Sequence, residues 1–272
     1  MWIGSPLRGA FRLLCYLSVT LVLVPIYFVI LALRIRPIIR WMPVAYHRFC
    51  SIILGIKVRV HGQRSDVIPT LFVCNHVSYL DIVVLGGLIP GSFVAKAEVA
   101  TWPFFSTLAK AQRTIFVERT SGKASRSRDE MMKRLNTGDN LMLFPEGTSS
   151  DGTRVLPFRS ALFGVAQLRR DEKPIAVQSV AIAYTRLDGI PLGRYWRPLF
   201  AWFGDLDLVP HLWQMVCLGE TEAVVTFFPP VDIDKLGDRK KLCEYCFRQV
   251  SGAVQAANSG RYELLPAPKK AA

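Results

Sequence analysis

A chain of 272 residues has room for one large α/β domain and a short appendage. Its 34 Lys and Arg against 21 Asp and Glu give a formal charge of +13, while 51% of the residues are apolar and mean hydropathy is +0.26. An apolar majority excludes a disordered polyelectrolyte and argues against an ordinary soluble enzyme, so the anionic partner expected of this charge is a membrane surface rather than nucleic acid.

The apolar excess is concentrated near the N-terminus. Residues 13–33 carry no charge between Arg12 and Arg34, a run just long enough to cross about 30 Å of hydrocarbon. It exceeds the usual apolar core of a secretory signal, and Leu31-Ala32-Leu33 is not a small-residue cleavage site, so the segment reads as a retained anchor. Pro25 predicts a kink, which leaves a re-entrant hairpin beside the spanning helix as a second reading. Residues 41–56 are apolar but interrupted by Pro43, His47 and Arg48, the pattern of an interfacial helix. Residues 1–56 are therefore expected to form the anchor. Arg34, Arg36, Arg40 and Arg48 follow the run and only Arg8 and Arg12 precede it, which predicts that the bulk of the chain lies on the cytoplasmic side. Cys15, Cys50, Cys74, Cys217, Cys243 and Cys246 are scattered as in a reducing compartment. Cys243 and Cys246 have zinc-like spacing, yet no second pair lies nearby and His211 is distant, so they are expected to pack and no metal is expected.

From residue 57 onward short apolar runs alternate with longer mixed segments. Strands are predicted over 57–61, 70–74, 92–96, 113–118, 141–144, 174–184 and 223–228, and helices over 78–87, 98–109, 121–136, 158–170 and 235–257. This alternation predicts an α/β fold with a central, mainly parallel sheet and helices on its faces. Residues 266–272 read as a flexible tail.

Function in such a fold sits in loops at strand ends. One loop follows 70–74 and runs through Asn75 and His76 into a helix containing Asp81. His76 and Asp81 meet only if the first lies in the loop and the second in the first helical turn. An imidazole held by a carboxylate is the general-base half of a catalytic triad. No Gly-x-Ser-x-Gly nucleophile elbow occurs, so the nucleophile expected is the substrate's own hydroxyl. His61 and Asp66 repeat the spacing, but in a polar turn with no helix to place the carboxylate, and are taken as chance. A second loop, Phe144-Pro-Glu-Gly-Thr148, follows 141–144. Gly147 and Gly152 half-match a phosphate-binding loop, but Thr153 stands where its lysine must be, which rejects nucleotide binding. The turn, with Arg154 and Arg159 downstream, instead suits a polar head group.

Asn75-His76-x4-Asp81, Arg113-Thr-Ile-Phe-Val-Glu-Arg119, Phe144-Pro-Glu-Gly-Thr148 and Pro174-Ile-Ala-Val-Gln-Ser179, in that order, resemble the four blocks of the glycerolipid acyltransferases. The resemblance implies that residues 57–265 form an acyltransferase domain and that His76 deprotonates an acceptor hydroxyl attacking an acyl thioester, with Asp81 orienting the ring. It implies acceptor contacts from Arg119, Glu146, Gly147 and Thr148, and weaker ones from Asn75, Lys96, Arg154 and Arg159; Glu98, beside Lys96, serves a helix face equally well. The co-substrate implied is acyl carrier protein or coenzyme A carrying the acyl group, with no cofactor. Many phosphatidate-forming members carry Arg after Glu-Gly-Thr, where this chain has Ser149. Residues 181–198, with Gly204-Asp205 and 208–212, are similar to the bacterial lyso-ornithine-lipid branch. The acceptor implied first is therefore lyso-ornithine lipid, with 1-acylglycerol-3-phosphate as the alternative. The expected location is a bacterial inner membrane, the site facing the cytoplasm and the bilayer a partner. A hydrolase would need a serine or a metal, and a nucleic-acid-binding protein would need a motif, and neither is visible.

Overall fold

The computed structural model describes residues 3–117, 124–170 and 172–267, with 124–128 described by backbone alone. Two long helices come first, α1 (Pro6–Ala32) and α2 (Arg36–Ile53). Ser5 caps the first by accepting from the Arg8 N–H, and Pro6 occupies the first turn, where a missing N–H costs nothing. Helix α1 starts before the apolar run and continues through Pro25, so the predicted kink does not interrupt it.

Helix α1 lies lengthwise on the rest of the molecule. At its start the Ser5 N–H donates to the Cys217 carbonyl at 2.9 Å, and Arg12 donates to that of Leu218 at 2.7 Å. A Cβ at Gly9 would stand 2.4 Å from the Cys217 sulfur, so only glycine allows this approach. Farther along, Thr20 and Tyr46 share a 2.8 Å hydrogen bond, and the Tyr27 hydroxyl donates to the Ile39 carbonyl at 2.9 Å beside Arg113 and Asp139. Ser5 and Tyr27 are about 33 Å apart at helical rise. The opposite face is bare: Leu7, Phe11, Leu14, Leu21, Val22 and Val29 are exposed, as are Ile38, Trp41, Phe49 and Ile52 of α2.

The strands are β1 (Ile56–His61), β2 (Thr70–Cys74), β3 (Gly91–Lys96), β4 (Ile115–Val117), β5 (Asn140–Leu143), β6 (Arg169–Arg170), β7 (Lys173–Pro174), β8 (Ala176–Leu187), β9 (Ile190–Pro191) and β10 (Thr221–Phe227). The main sheet has the order β1-β10-β8-β2-β5-β3-β4, with β9 on β8, while β6 and β7 pair separately. Along that order every pair is parallel except β10 with β8. This is the predicted α/β architecture.

Side chains alternate across the sheet. Phe72, Cys74, Met142, Ile182 and Val225 pack with α3 (Leu80–Gly86) and α6 (Leu208–Cys217). Leu71, Val73, Leu141, Leu143 and Val177 face the other way, toward α8 (Arg239–Asn258) and a 3-10 run over Ser160–Gln167. Helix α2 lies on α3, where a Gly86 Cβ would stand 2.5 Å from the His47 ring.

Several predicted elements are redrawn. The helix over 98–109 divides into a 3-10 turn, Ala97–Thr101, and α4 (Phe105–Ala111), because Pro103 forces Trp102 out of the helical region. The helix over 121–136 is described as α5 (Ala124–Asn136), with 121–123 outside the described residues. The helix over 158–170 is the 3-10 run, and β6 takes its end. The last helix breaks at Gly237, φ +93°, into α7 (Ile233–Leu236) and α8, which Asp238 caps through the Lys240 and Lys241 N–H groups. Helix α6 was not foreseen; Pro210 in its first turn disguises it. Of the expected tail, Pro266 and Ala267 accept hydrogen bonds from His61 and from the Gly62 N–H, and 268–272 lie outside the described residues. Cys243 and Cys246 lie on the buried face of α8, packed into the core.

Candidate active site

Strand β2 is buried along its whole length and ends at Cys74. Beyond it the Asn75 side chain continues the ladder, accepting from the Ile182 N–H and donating to the Ile182 carbonyl, both at 2.9 Å. Asn75, a weaker acceptor-contact expectation, therefore bonds to the β8 backbone and fixes where the next residue stands. That residue is His76. The chain turns through Val77 and Ser78, and α3 begins with Asp81 in its first turn.

Asp81 organises the turn. Its Oδ2 accepts from the His76 ring Nδ1 at 2.8 Å, the Val77 N–H at 2.6 Å and the Ser78 N–H at 3.0 Å. Its Oδ1 accepts from the Tyr184 hydroxyl at 2.9 Å. The carboxylate is fully buried, whereas the imidazole is 23% exposed. With Nδ1 donating to Asp81, the neutral ring carries its lone pair on Nε2, the nitrogen turned away from the carboxylate. Among the described residues the ring's one hydrogen bond is to Asp81. Phe144 stacks on the ring at 4.3 Å between centroids, and Phe93 stacks behind Phe144.

The second predicted loop locks onto the first. After β5, Pro145 and Glu146 form a turn closed by the Gly147 N–H on the Phe144 carbonyl, and Gly147 takes φ +70°, a conformation that favours glycine. Glu146 accepts from the His76 N–H through Oε1 and from the Leu156 N–H through Oε2, both at 2.7 Å. Ser150 donates its N–H to the His76 carbonyl at 2.8 Å. The main chain of the histidine is thus held on both sides. Glu146 is 2% exposed with both oxygens spent on amides, so the expected acceptor contact is corrected to a positioning role. Burial pushes its carboxyl up to about 8, against the two amide donors that hold it down.

Around this centre, Thr148, Arg154, Arg159 and Lys96 are exposed, and the Arg159 guanidinium lies beside Gly147. Glu98 is exposed in the 3-10 turn after β3. Arg119 lies outside the described residues. Ser149 donates its hydroxyl to the Trp202 carbonyl, and the Trp202 N–H donates to that of Val77 at 3.0 Å, so the 196–204 segment is tied to both loops. His61 bonds the Pro266 carbonyl and stacks on Tyr262, away from any such arrangement. Tyr184 and Phe144 were missed as site residues. Phe144 was legible as the first letter of its loop, but Tyr184 is 103 residues from Asp81, and no local pattern connects them. Among the described residues no group of three His, Cys, Asp or Glu is placed to hold a metal.

A family model described as Acyltransferase matches residues 57–183. A lyso-ornithine lipid O-acyltransferase of Brucella abortus is 42% identical over 90% of this chain and 92% of its own length. A protein of the same name from Rhizobium meliloti is 40% identical over 96% and 89%. A 1-acyl-sn-glycerol-3-phosphate acyltransferase of Neisseria gonorrhoeae is 32% identical over 70% of each chain. The crystal structure of a 1-acyl-sn-glycerophosphate acyltransferase from Thermotoga maritima shares the fold, with a TM-score of 0.66 over 92% of this chain and 94% of that one at 20% identity.

Proposed function

This chain belongs to the acyltransferase family, and from that premise we propose that it moves a fatty acyl group from a thioester to the free hydroxyl of lyso-ornithine lipid. The observation that carries the reaction is the His76–Asp81 pair, with Nε2 left to accept a proton. The acceptor hydroxyl gives its proton to Nε2 as its oxygen attacks the thioester carbonyl. Asp81 stabilises the imidazolium that results. The tetrahedral intermediate then expels the thiolate, which takes the proton from Nε2, so ester forms, thioester breaks and the histidine returns neutral. The donor is acyl carrier protein or coenzyme A, and either enters as co-substrate.

Two observations favour lyso-ornithine over lysophosphatidate. The relatives matched over about nine-tenths of their length carry that name, and Ser149 stands where a cation would meet phosphate. Thr148, Arg154, Arg159 and Arg119 are the residues proposed to meet the head group, whose carboxylate suits arginine. The bare apolar faces of α1 and α2 lie side by side, and α1 is held to the body at both ends. We place them in one leaflet of the bacterial inner membrane, on its cytoplasmic side, rather than across it. Purified protein given labelled acyl donor with lyso-ornithine lipid and lysophosphatidate in parallel tests the acceptor. At least tenfold higher kcat/KM with lyso-ornithine lipid is expected; the reverse order assigns the enzyme to phosphatidate synthesis.

A further inference from the structure

A second polar feature lies at the opposite end of the sheet from His76. A cleft of about 300 Å³ is lined by Arg40, Trp41, Arg64, Ser65, Asp66, Ile68 and Asn140. Ile68 and Asn140 stand at the starts of β2 and β5, and His76 follows the end of β2, so five strand residues, about 16 Å, separate cleft from base. The cleft is therefore no part of the catalytic pocket.

Its construction is specific. The guanidinium groups of Arg40 and Arg64 both lie over the Trp41 ring, 5.9 and 5.8 Å from its centroid. Arg64 comes from a loop that the buried Gln178 side chain clamps, accepting from the Ser65 N–H and donating to the Gln63 carbonyl, each at 2.8 Å. Arg64 also donates to the Leu88 carbonyl at 3.1 Å. Arg40 and Arg48 are close enough to disfavour the charge on Arg64, and Asp66 lies near enough to offset them in part. Like charges held this way favour an anion between or above them.

The surroundings say where the anion comes from. Trp41 and Ile38 belong to the bare apolar face of α2, and Val67 and Ile68, next to Arg64, are exposed as well. Apolar side chains thus flank the cleft on both sides. A tryptophan between apolar residues and arginines matches the level of lipid head groups. We propose that the Arg40–Trp41–Arg64 cleft binds the phosphate of an anionic phospholipid in the bilayer, separately from the acceptor. This rests on the membrane-lying reading of α1 and α2 given above. It provides a lipid selectivity that apolar insertion alone does not.

Flotation of the full-length protein with vesicles tests it, using pure phosphatidylcholine and phosphatidylcholine containing phosphatidylglycerol. The wild type is expected to partition more strongly onto the anionic vesicles. The double variant Arg40→Gln with Arg64→Gln should lose about tenfold or more of that preference, given roughly fivefold per basic residue at an anionic surface. Its partition onto pure phosphatidylcholine should be unchanged. Arg40→Lys with Arg64→Lys retains charge but loses the planar, stacking fork, and is expected to fall between the two. Lys240→Gln with Lys241→Gln, on α8 across the sheet, removes as much charge and should keep the preference. Equal losses in the two Gln pairs mean diffuse electrostatics and overturn the cleft. Abolition of the preference by millimolar inorganic phosphate at constant ionic strength means a soluble-anion site and also overturns it. Failure of the wild type to float with either vesicle overturns the membrane reading itself, whereas floating without preference overturns the cleft alone.

Discussion

Asp81 does at the residue scale what no neighbouring residue can: one buried carboxylate closes the turn through two amides and holds the imidazole. His76→Ala is expected to abolish transfer while vesicle binding persists, because the ring does not support the anchor. Asp81→Asn should lower kcat by about three to four orders of magnitude, the scale seen when a triad carboxylate is neutralised. Labelled-acyl assays check both, with His61→Ala as the control, which should melt lower yet remain active. Tyr184 permits a finer test. Its hydroxyl shares the charge of Asp81, so Tyr184→Phe leaves more of that charge to attract a proton onto His76. The imidazolium is then stabilised, and the acid limb of the kcat/KM–pH profile should move to higher pH by some tenths of a unit to about one unit. An unmoved limb with a lowered Tm would make Tyr184 purely structural.

At the scale of elements, the site depends on two strand-end loops that hold each other. The His76 main chain is gripped by Glu146 and Ser150, and Ser149 ties the second loop to the segment at Trp202. Ser149→Arg must break that tie to place its cation. It is therefore expected to raise relative kcat/KM for lysophosphatidate by about tenfold, the scale of a charge-assisted hydrogen bond, together with a lower Tm. Melting curves beside kinetics with both acceptors check this. The helices obey the same logic of close approach. Gly9→Leu sets a side chain against Cys217 and Trp213, and should lift the start of α1 from α6. Overpacking of this kind costs about 1–3 kcal/mol, read as a lower Tm and faster proteolysis near the N-terminus.

For the whole molecule the question is how a bare apolar helix face and a helix-covered sheet coexist. The hairpin of α1 and α2 turns one face to α3, α4 and α6 and leaves the other bare, so under the proposed function the body and the bilayer take opposite sides of the same helices. Attachment by apolar insertion predicts that washing isolated membranes with 1 M salt, where charges are screened to about 3 Å, leaves the protein bound. Detergent should release it. Release by salt alone would mean that the charge of +13, not the helices, holds it there.

The succession of strands and helices along the chain, the pairing of His76 with Asp81 and the long apolar N-terminal helix were legible in the sequence because each is a local signal. A five-residue buried strand, a loop and a first helical turn place the dyad within six consecutive residues, and 21 uncharged residues in a row announce an apolar helix without any fold. Nothing local told that α1 packs along its own domain, since that rests on Ser5 meeting Cys217 and Tyr27 meeting Arg113. Nor did residue type reveal that Glu146 faces amides instead of substrate, or that Tyr184 completes the carboxylate shell. A turn is decided by neighbours in the chain, whereas a buried polar group is decided by whichever partners the closed fold brings within about 3 Å of it.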